Sequence, residues 1–312
     1  MDISVVIPVY NEEASLKPLY AKLKKTLEEI NRPYEIIFID DGSKDSSWEI
    51  LKHLRKQDKN IKLIRLTRNF GQTAAITAGF EHAEGKITIG MDADLQNEPA
   101  DIPYFLAKIE EGYDLVSGWR RYRQDALITR KVPSWIANWL ISKITGVKLH
   151  DYGCSLKAYK SWVVKNLHLY GEMHRFIPAL ARWCGAQITE IEVRHYPRRF
   201  GQAKYGLSRT LKVILDLITV KFLLSYSTKP LHFFGIPGAI SFLAGFFICS
   251  YLSVLKFFYH VQLSQRPLLL LGVLLIFMGI QFISLGLLAE LVIRIYHEAQ
   301  KRPIYGIKEI LK

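Results

Sequence analysis

The chain has 312 residues, 42 of them basic against 29 acidic, and its formal net charge of +13 points to phosphates and anionic membrane surfaces as partners. No helix-turn-helix, finger or RNA-binding signature accompanies that charge, which sets nucleic acid aside. Three cysteines, Cys154, Cys184 and Cys249, show neither pairing nor metal-ligand spacing and fit a reducing compartment.

Short β-branched runs alternate with helical patterns along the first part of the chain. Ile3-Ser-Val-Val-Ile-Pro, Tyr34-Glu-Ile-Ile-Phe-Ile, Ile61-Lys-Leu-Ile-Arg-Leu, Lys86-Ile-Thr-Ile-Gly-Met and Asp114-Leu-Val-Ser read as strands, with helices expected near 15–30, 46–57, 73–84 and 101–110. Such alternation predicts an α/β domain with a mostly parallel sheet, whose ligands gather at the carboxyl ends of the strands. Past Trp119 the pattern changes. Residues 133–146 and 207–226 read as amphipathic helices flanked by basic residues, the first with Trp135 and Trp139 near one face, a composition that suits a membrane interface; core packing is the alternative for both.

The remainder is apolar. Pro230 to Tyr259 and Leu268 to Ile293 are each long enough to cross about 30 Å of hydrocarbon, and neither carries a polar stripe at helical period. Neither is N-terminal, so neither reads as a cleaved signal. Lys229 precedes the first, and Arg294, Lys301 and Arg302 follow the second, whereas the connecting loop holds little beyond Lys256 and Arg266. The positive-inside rule then puts both chain ends in the cytoplasm and makes this a multi-pass inner-membrane protein.

Acidic and small polar groups recur at the strand ends. The first strand closes in Val5-Val-Ile-Pro-Val-Tyr-Asn-Glu-Glu13, the second in Ile39-Asp-Asp-Gly-Ser43, and the fourth leads into Asp92-Ala-Asp-Leu-Gln96. Two carboxylates one residue apart, just past a strand end, can converge on a hard cation that bridges a diphosphate, with Mg2+ or Mn2+ the obvious ions. Taken singly, each has a plain alternative: Asp41-Gly-Ser as a turn, Asn11 as a helix cap, Asp-x-Asp as a solvated loop.

Together, V-V-I-P-V-Y-N-E, D-D-G-S and D-A-D-L-Q resemble the nucleotide-sugar transferase domain, of GT-A fold, of family 2 glycosyltransferases over about residues 1–228. Asp151-Tyr-Gly-Cys-Ser-Leu-Lys-Ala-Tyr159, Glu172-Met-His-Arg-Phe-Ile-Pro178 and Arg198-Arg-Phe-Gly-Gln-Ala-Lys-Tyr205 are similar to motifs of the polyprenyl-phosphate branch, such as dolichyl-phosphate mannose synthases and bacterial undecaprenyl-phosphate sugar transferases. One departure is Ala203, where that branch usually has Ser. The resemblance implies that Pro8, Tyr10, Glu12, Asp41 and Asp92 hold the nucleotide, and that Asp92, Asp94 and Gln96 hold metal and diphosphate.

Residues 119–148 contain seven basic residues and one acid, so Arg120, Arg130 and Lys131 are expected to meet an acceptor phosphate, and Arg198 and Lys204 the donor diphosphate. Asp94, Asp151, Arg198 and Lys204 form the expected catalytic set. Asp151 is expected to orient the acceptor or take its remaining proton, with a structural turn carboxylate as the alternative. Since a phosphate monoester is already anionic near neutral pH, strong base catalysis is unnecessary and one inverting in-line displacement is expected.

The expected organisation is a catalytic domain over 1–206, an interfacial helix over 207–228, two spans within 229–295 and a cytoplasmic tail over 296–312. The expected reaction moves a sugar, glucose from UDP-glucose by family frequency, to undecaprenyl or dolichyl phosphate, and leaves room for a homo-oligomer. A processive polysaccharide synthase, which carries Q-x-x-R-W where this chain has Ala179-Leu-Ala-Arg-Trp183, and a non-catalytic membrane scaffold are the competing readings.

Overall fold

The computed structural model describes residues 1–121, 141–142, 145–167, 169, 173–197, 230–259, 267–299 and 307–311. The chain divides into two compact units, Met1–Leu217 with Pro303–Lys312, and Ile218–Arg302.

The first unit is built on one eight-stranded sheet. Its strands are β1 (Ile3–Val9), β2 (Tyr34–Asp40), β3 (Ile61–Leu66), β4 (Ile87–Gly90), β5 (Leu115–Trp119), β6 (Lys157–Lys160), β7 (Ile188–Glu192) and β8 (Ile307–Leu311), in the spatial order β7-β5-β6-β4-β1-β2-β3-β8. β1 pairs in parallel with β2 and β4, β2 with β3, and β5 with β7; β6 and β8 run antiparallel to their neighbours. The first five strands are those expected from the sequence.

Helices α1 (Glu13–Ile30), α2 (Ser47–Gln57), α3 (Gln72–Glu81) and α4 (Ile102–Glu110) fill the connections, and α5 (Ser161–Lys165) and α6 (Ile177–Trp183) follow β6. Along α1, Leu16, Leu19, Leu23 and Leu27 recur at three- and four-residue steps and are buried. They join Ile3, Val5, Ile7 and Val9 of β1 with Trp48, Leu51 and Leu54 of α2 and Phe105 of α4 in one core. The central strands are buried on both faces, which explains their unbroken apolar runs. Asn31 closes α1 in the left-handed conformation, φ 53°.

β1 lies between β2 and β4, so the strand order reverses direction at β1. In an open α/β sheet the crevice beyond the carboxyl ends at such a reversal is where ligands bind. The turns after β1, β2 and β4 all open there.

Residues 307–311, within the segment expected as a cytoplasmic tail, form β8 against β3, with Leu63 opposite Leu311 and Ile64 opposite Ile310. Pairing energy from β3 supplies what a short segment lacks alone. The expected interfacial helix over 207–228 lies outside the described residues, as does most of 133–146.

The second unit contains α7 (Pro230–Tyr259) and α8 (Pro267–Ala299), within which Phe233–Tyr259 and Pro267–Ala289 are long and apolar enough to cross a membrane. The two helices meet along glycines. A Cβ on Gly238 would lie 2.9 Å from the carbonyl oxygen of Gly279, and one on Gly245 2.6 Å from that of Gly272. Only backbones without side chains approach so closely, the kind of contact that holds helices together where no hydrophobic effect acts between them.

Candidate active site

The turns after β1 and β2 are laced together by the residue types of their motifs. Asn11 adopts φ 54°, tolerable for Asn, and its Oδ1 accepts a hydrogen bond from the Lys44 amide at 2.8 Å while its own amide donates to Ser43 Oγ at 3.0 Å. The Glu12 amide donates to Ser47 Oγ at 2.9 Å, and Glu13 Oε2 accepts from the Ser46 amide at 2.9 Å. Pro8, in β1 beside Ile39, is half-buried, and Tyr10 and Glu12 stand half-buried past the strand end. These three occupy the edge expected for nucleotide contacts.

The two aspartates of D-D-G-S have separate tasks. Asp40 is fully buried, accepts from the Ser43 amide at 3.0 Å and pairs with Arg65 Nε at 3.1 Å. Asp41 reaches the other way: Oδ1 accepts from the Phe70 amide at 2.7 Å and Oδ2 from the Gly71 amide at 2.9 Å. Burial pushes the Asp41 carboxyl up, and the two amide bonds oppose that shift. Gly42 follows Asp41 at φ +69°, where a Cβ would lie 2.7 Å from the Arg68 carbonyl carbon and the Asn69 nitrogen. Asp41 therefore organises the 70–71 turn, a task its motif did not announce.

Past β4, Asp92 and Asp94 stand half-buried one residue apart. Asp92 Oδ1 accepts from Gln72 Nε2 at 2.8 Å, and Asp94 Oδ1 from the Gln96 amide at 3.2 Å. Burial, and then the charge of Asp94, push the Asp92 carboxyl up to about 6; a Ser155 hydrogen bond and the charges of Arg120 and Lys157 oppose them. Two carboxylates one residue apart past a strand end are a donor set suited to a divalent cation. Among the described residues no group of three His, Cys, Asp or Glu side chains forms a closed metal cage. A cation here would take its remaining ligands from a bound diphosphate or water.

Gln96 also joins this edge to a distant segment. The Tyr196 amide donates to the Gln96 carbonyl at 3.0 Å, Gln96 Nε2 donates to the Tyr196 carbonyl at 3.3 Å, and Asn97 bridges to His195. The chain that runs on to Arg198 is thus fastened beside Asp-x-Asp. Arg198, Lys204, Arg130 and Lys131 themselves lie outside the described residues.

The fold brings Arg120 and Asp151 together. The Arg120 guanidinium forks onto Asp151, Nε to Oδ2 at 2.6 Å and Nη2 to Oδ1 at 2.9 Å, and the Gly153 amide donates to Oδ1 at 3.0 Å. Both side chains are about nine-tenths buried, with 12% and 9% exposed. Burial would lower the Arg120 pKa, but Asp151 outweighs it and the net shift is upward. The Arg120 guanidinium is thus paired with a carboxylate, and Asp151 also holds the turn at Gly153. Nearby, the buried Lys157 ammonium donates to the Tyr152 and Cys154 carbonyls, and burial lowers its pKa.

A family model for glycosyl transferase family 2 matches residues 4–166. A dodecaprenyl-phosphate galacturonate synthase of Rhizobium johnstonii is 42% identical over 314 residues, covering 99% of this chain and 93% of that protein. An undecaprenyl-phosphate 4-deoxy-4-formamido-L-arabinose transferase of Shewanella sediminis is 41% identical over 311 residues, covering 99% and 92%. Among solved structures, glucosyl-3-phosphoglycerate synthase from Mycobacterium tuberculosis, in complex with Mn2+, UDP-glucose and phosphoglyceric acid, superposes with a TM-score of 0.54 at 18% identity, covering 70% of this chain and 79% of that one. At that identity the likeness concerns the fold alone, a GT-A-like α/β sheet.

Proposed function

Because the chain belongs to glycosyl transferase family 2, we propose that it moves a sugar from a uridine diphosphate donor, with Mg2+ or Mn2+, to a polyprenyl phosphate at the cytoplasmic face of the inner membrane. The observation that carries this reading is the convergence of Asp92 and Asp94 with the interlaced turns after β1 and β2 at one sheet edge. Both relatives are named for a polyprenyl-phosphate carrier, dodecaprenyl in one and undecaprenyl in the other, while their sugars differ. Neither is named for glucose. The proposal therefore takes the polyprenyl-phosphate carrier common to both names, and as the sugar one of the modified kinds those names describe.

In this reading Pro8, Tyr10 and Glu12 line the nucleoside end, and Asp41 shapes it from behind through the 70–71 turn. Asp92 and Asp94 would hold the divalent ion, which neutralises the donor diphosphate as its leaving-group charge develops. Arg198 and Lys204 are proposed to add positive charge on the same diphosphate. The lipid phosphate arrives as an anion near neutral pH. It needs orientation and charge neutralisation more than proton removal, which agrees with Asp151 being tied to Arg120. One displacement at the anomeric carbon, with inversion, completes the transfer.

Membrane attachment is supported by α7 and α8, which contain stretches long and apolar enough to cross a membrane. The chain leaves the sheet before α7 and rejoins it as β8 after α8, and two crossings return it to the same side, in agreement with the basic residues at both ends.

The test is to incubate the detergent-purified protein with undecaprenyl phosphate and, in turn, labelled UDP-galacturonate, UDP-4-deoxy-4-formamido-arabinose and UDP-glucose, with and without EDTA. Metal-dependent lipid-linked product from a modified sugar is expected. No lipid-linked product from any donor would sink the proposal.

A further inference from the structure

Between the D-D-G-S turn and α3 runs a short segment, residues 69–73, whose sequence Asn-Phe-Gly-Gln-Thr carries no obvious chemistry. In the fold it touches three motifs at once. The Phe70 and Gly71 amides donate to the two oxygens of Asp41 at 2.7 and 2.9 Å. Gln72 Nε2 donates to Asp92 Oδ1 at 2.8 Å. Thr73 Oγ1 and His174 Nδ1 share a hydrogen bond at 2.8 Å, which ties the M-H-R-F segment to the same turn.

A carboxylate can only accept, so the amide nitrogen of Gln72 must face Asp92. Gln72 stands at the first position of α3, where the helix axis fixes its backbone, and Asp41 fixes the two residues before it. The side chain therefore approaches Asp92 from a defined direction. A carboxylate oxygen held by a donor of fixed direction cannot rotate freely. Outer partners of this kind set the orientation of a metal ligand and the affinity of its site.

We propose that Gln72 is a positioning residue for the Asp92 carboxylate, anchored by the grip of Asp41 on the Phe70 and Gly71 amides, so that the second-strand motif and the Asp-x-Asp turn act as one unit. This rests on the proposed metal role of Asp92 and Asp94. Gln72 touches neither sugar nor phosphate in this reading. Its effect is exerted through Asp92.

The experiment titrates Mn2+ into the full-length, detergent-purified protein in the presence of UDP, with free Mn2+ read from its paramagnetic resonance signal. Gln72→Met keeps the length of the side chain and removes the donor; Gln72→Ala serves as a second variant that favours the helix start should the first fold poorly. Both are expected to raise the apparent Kd for Mn2+ about tenfold, while turnover at saturating Mn2+ recovers to about half the parent rate or more. A Kd within about twofold of the parent in the folded variants overturns the proposal, as does turnover that stays low at every Mn2+ concentration, since misfolding alone would do that. Should the parent itself take up no Mn2+, the metal reading falls and this inference with it. Uptake by the parent with unchanged variants sinks only the role of Gln72.

Discussion

Arg120 and Asp151, 31 residues apart in the chain, close a two-point ion pair at 2.6 and 2.9 Å. Removing one member strands the other as a buried charge. Arg120→Ala is therefore expected to cost about 3 kcal/mol or more, and Arg120→Lys to recover only part of it, because an ammonium cannot reproduce the fork. Asp151→Asn should likewise lower Tm. Replacing both with apolar residues should be milder than the sum of the single changes, as a double-mutant cycle by thermal denaturation would show. An Asp151→Asn protein with parental Tm and negligible turnover would instead return Asp151 to the catalytic set.

Asp92 should make the metal-free protein pH-sensitive. Its carboxyl lies at about 6 when folded against an ordinary 3.8, so the folded state holds the proton more tightly than the unfolded one. The contribution of this group is fully present below 3.8 and is lost as pH rises through about 6. In EDTA, Asp92→Asn should raise Tm at neutral pH and flatten its fall across that window. Adding Mn2+ should raise the Tm of the parent and leave that of the variant unmoved. A parent whose Tm ignores both pH and Mn2+ would contradict the prediction.

Gly42→Ala should damage the site without touching a reacting group. The new methyl would meet the Arg68 carbonyl carbon and the Asn69 nitrogen at 2.7 Å, at a φ of +69° that disfavours a side chain. A cost of about 1–3 kcal/mol is expected from the backbone strain alone. Because the push falls on residues 68–69, just ahead of the turn held by Asp41, Mn2+ affinity should weaken along with Tm. Hydrogen exchange at the Phe70 and Gly71 amides would report the loosening.

The helical pair makes a different prediction. A Cβ at Gly279 would lie 2.6 Å from the Gly238 carbonyl oxygen, so Gly279→Leu forces α7 and α8 apart, whereas an equally bulky change at the exposed Leu287 does not. In detergent, Gly279→Leu should therefore lower Tm while a bulky change at Leu287 leaves it near that of the parent. An equal Tm for the two variants would argue against the seam.

Much of the fold was legible because parallel strands buried on both faces must be apolar throughout, as Val5-Val-Ile-Pro-Val and Ile36-Ile-Phe-Ile are. β6, β7 and β8 escaped reading because Lys157-Ala-Tyr-Lys, Ile188-Thr-Glu-Ile-Glu and Ile307-Lys-Glu-Ile-Leu are short and charged, and owe their state to partners far away in sequence. The Asp-x-Asp and D-D-G-S motifs pointed to the candidate site by their position at strand ends. Gln72 did not, since an amide gains meaning only from the carboxylate opposite it, 20 residues on. The Arg120–Asp151 pair was hidden for the same reason: each residue was read by itself in sequence, and only the fold brings the two together.

The place of β8 has a consequence for biogenesis. β3 is made early, yet the strand that covers its open edge emerges only after both apolar helices have left the ribosome. Until then the nascent sheet presents an uncovered row of amides and carbonyls, the kind of edge that invites mispairing. Membrane insertion and completion of the sheet are thereby placed in a fixed order. A chain whose helices stall on the way into the bilayer would stall with an unfinished enzyme.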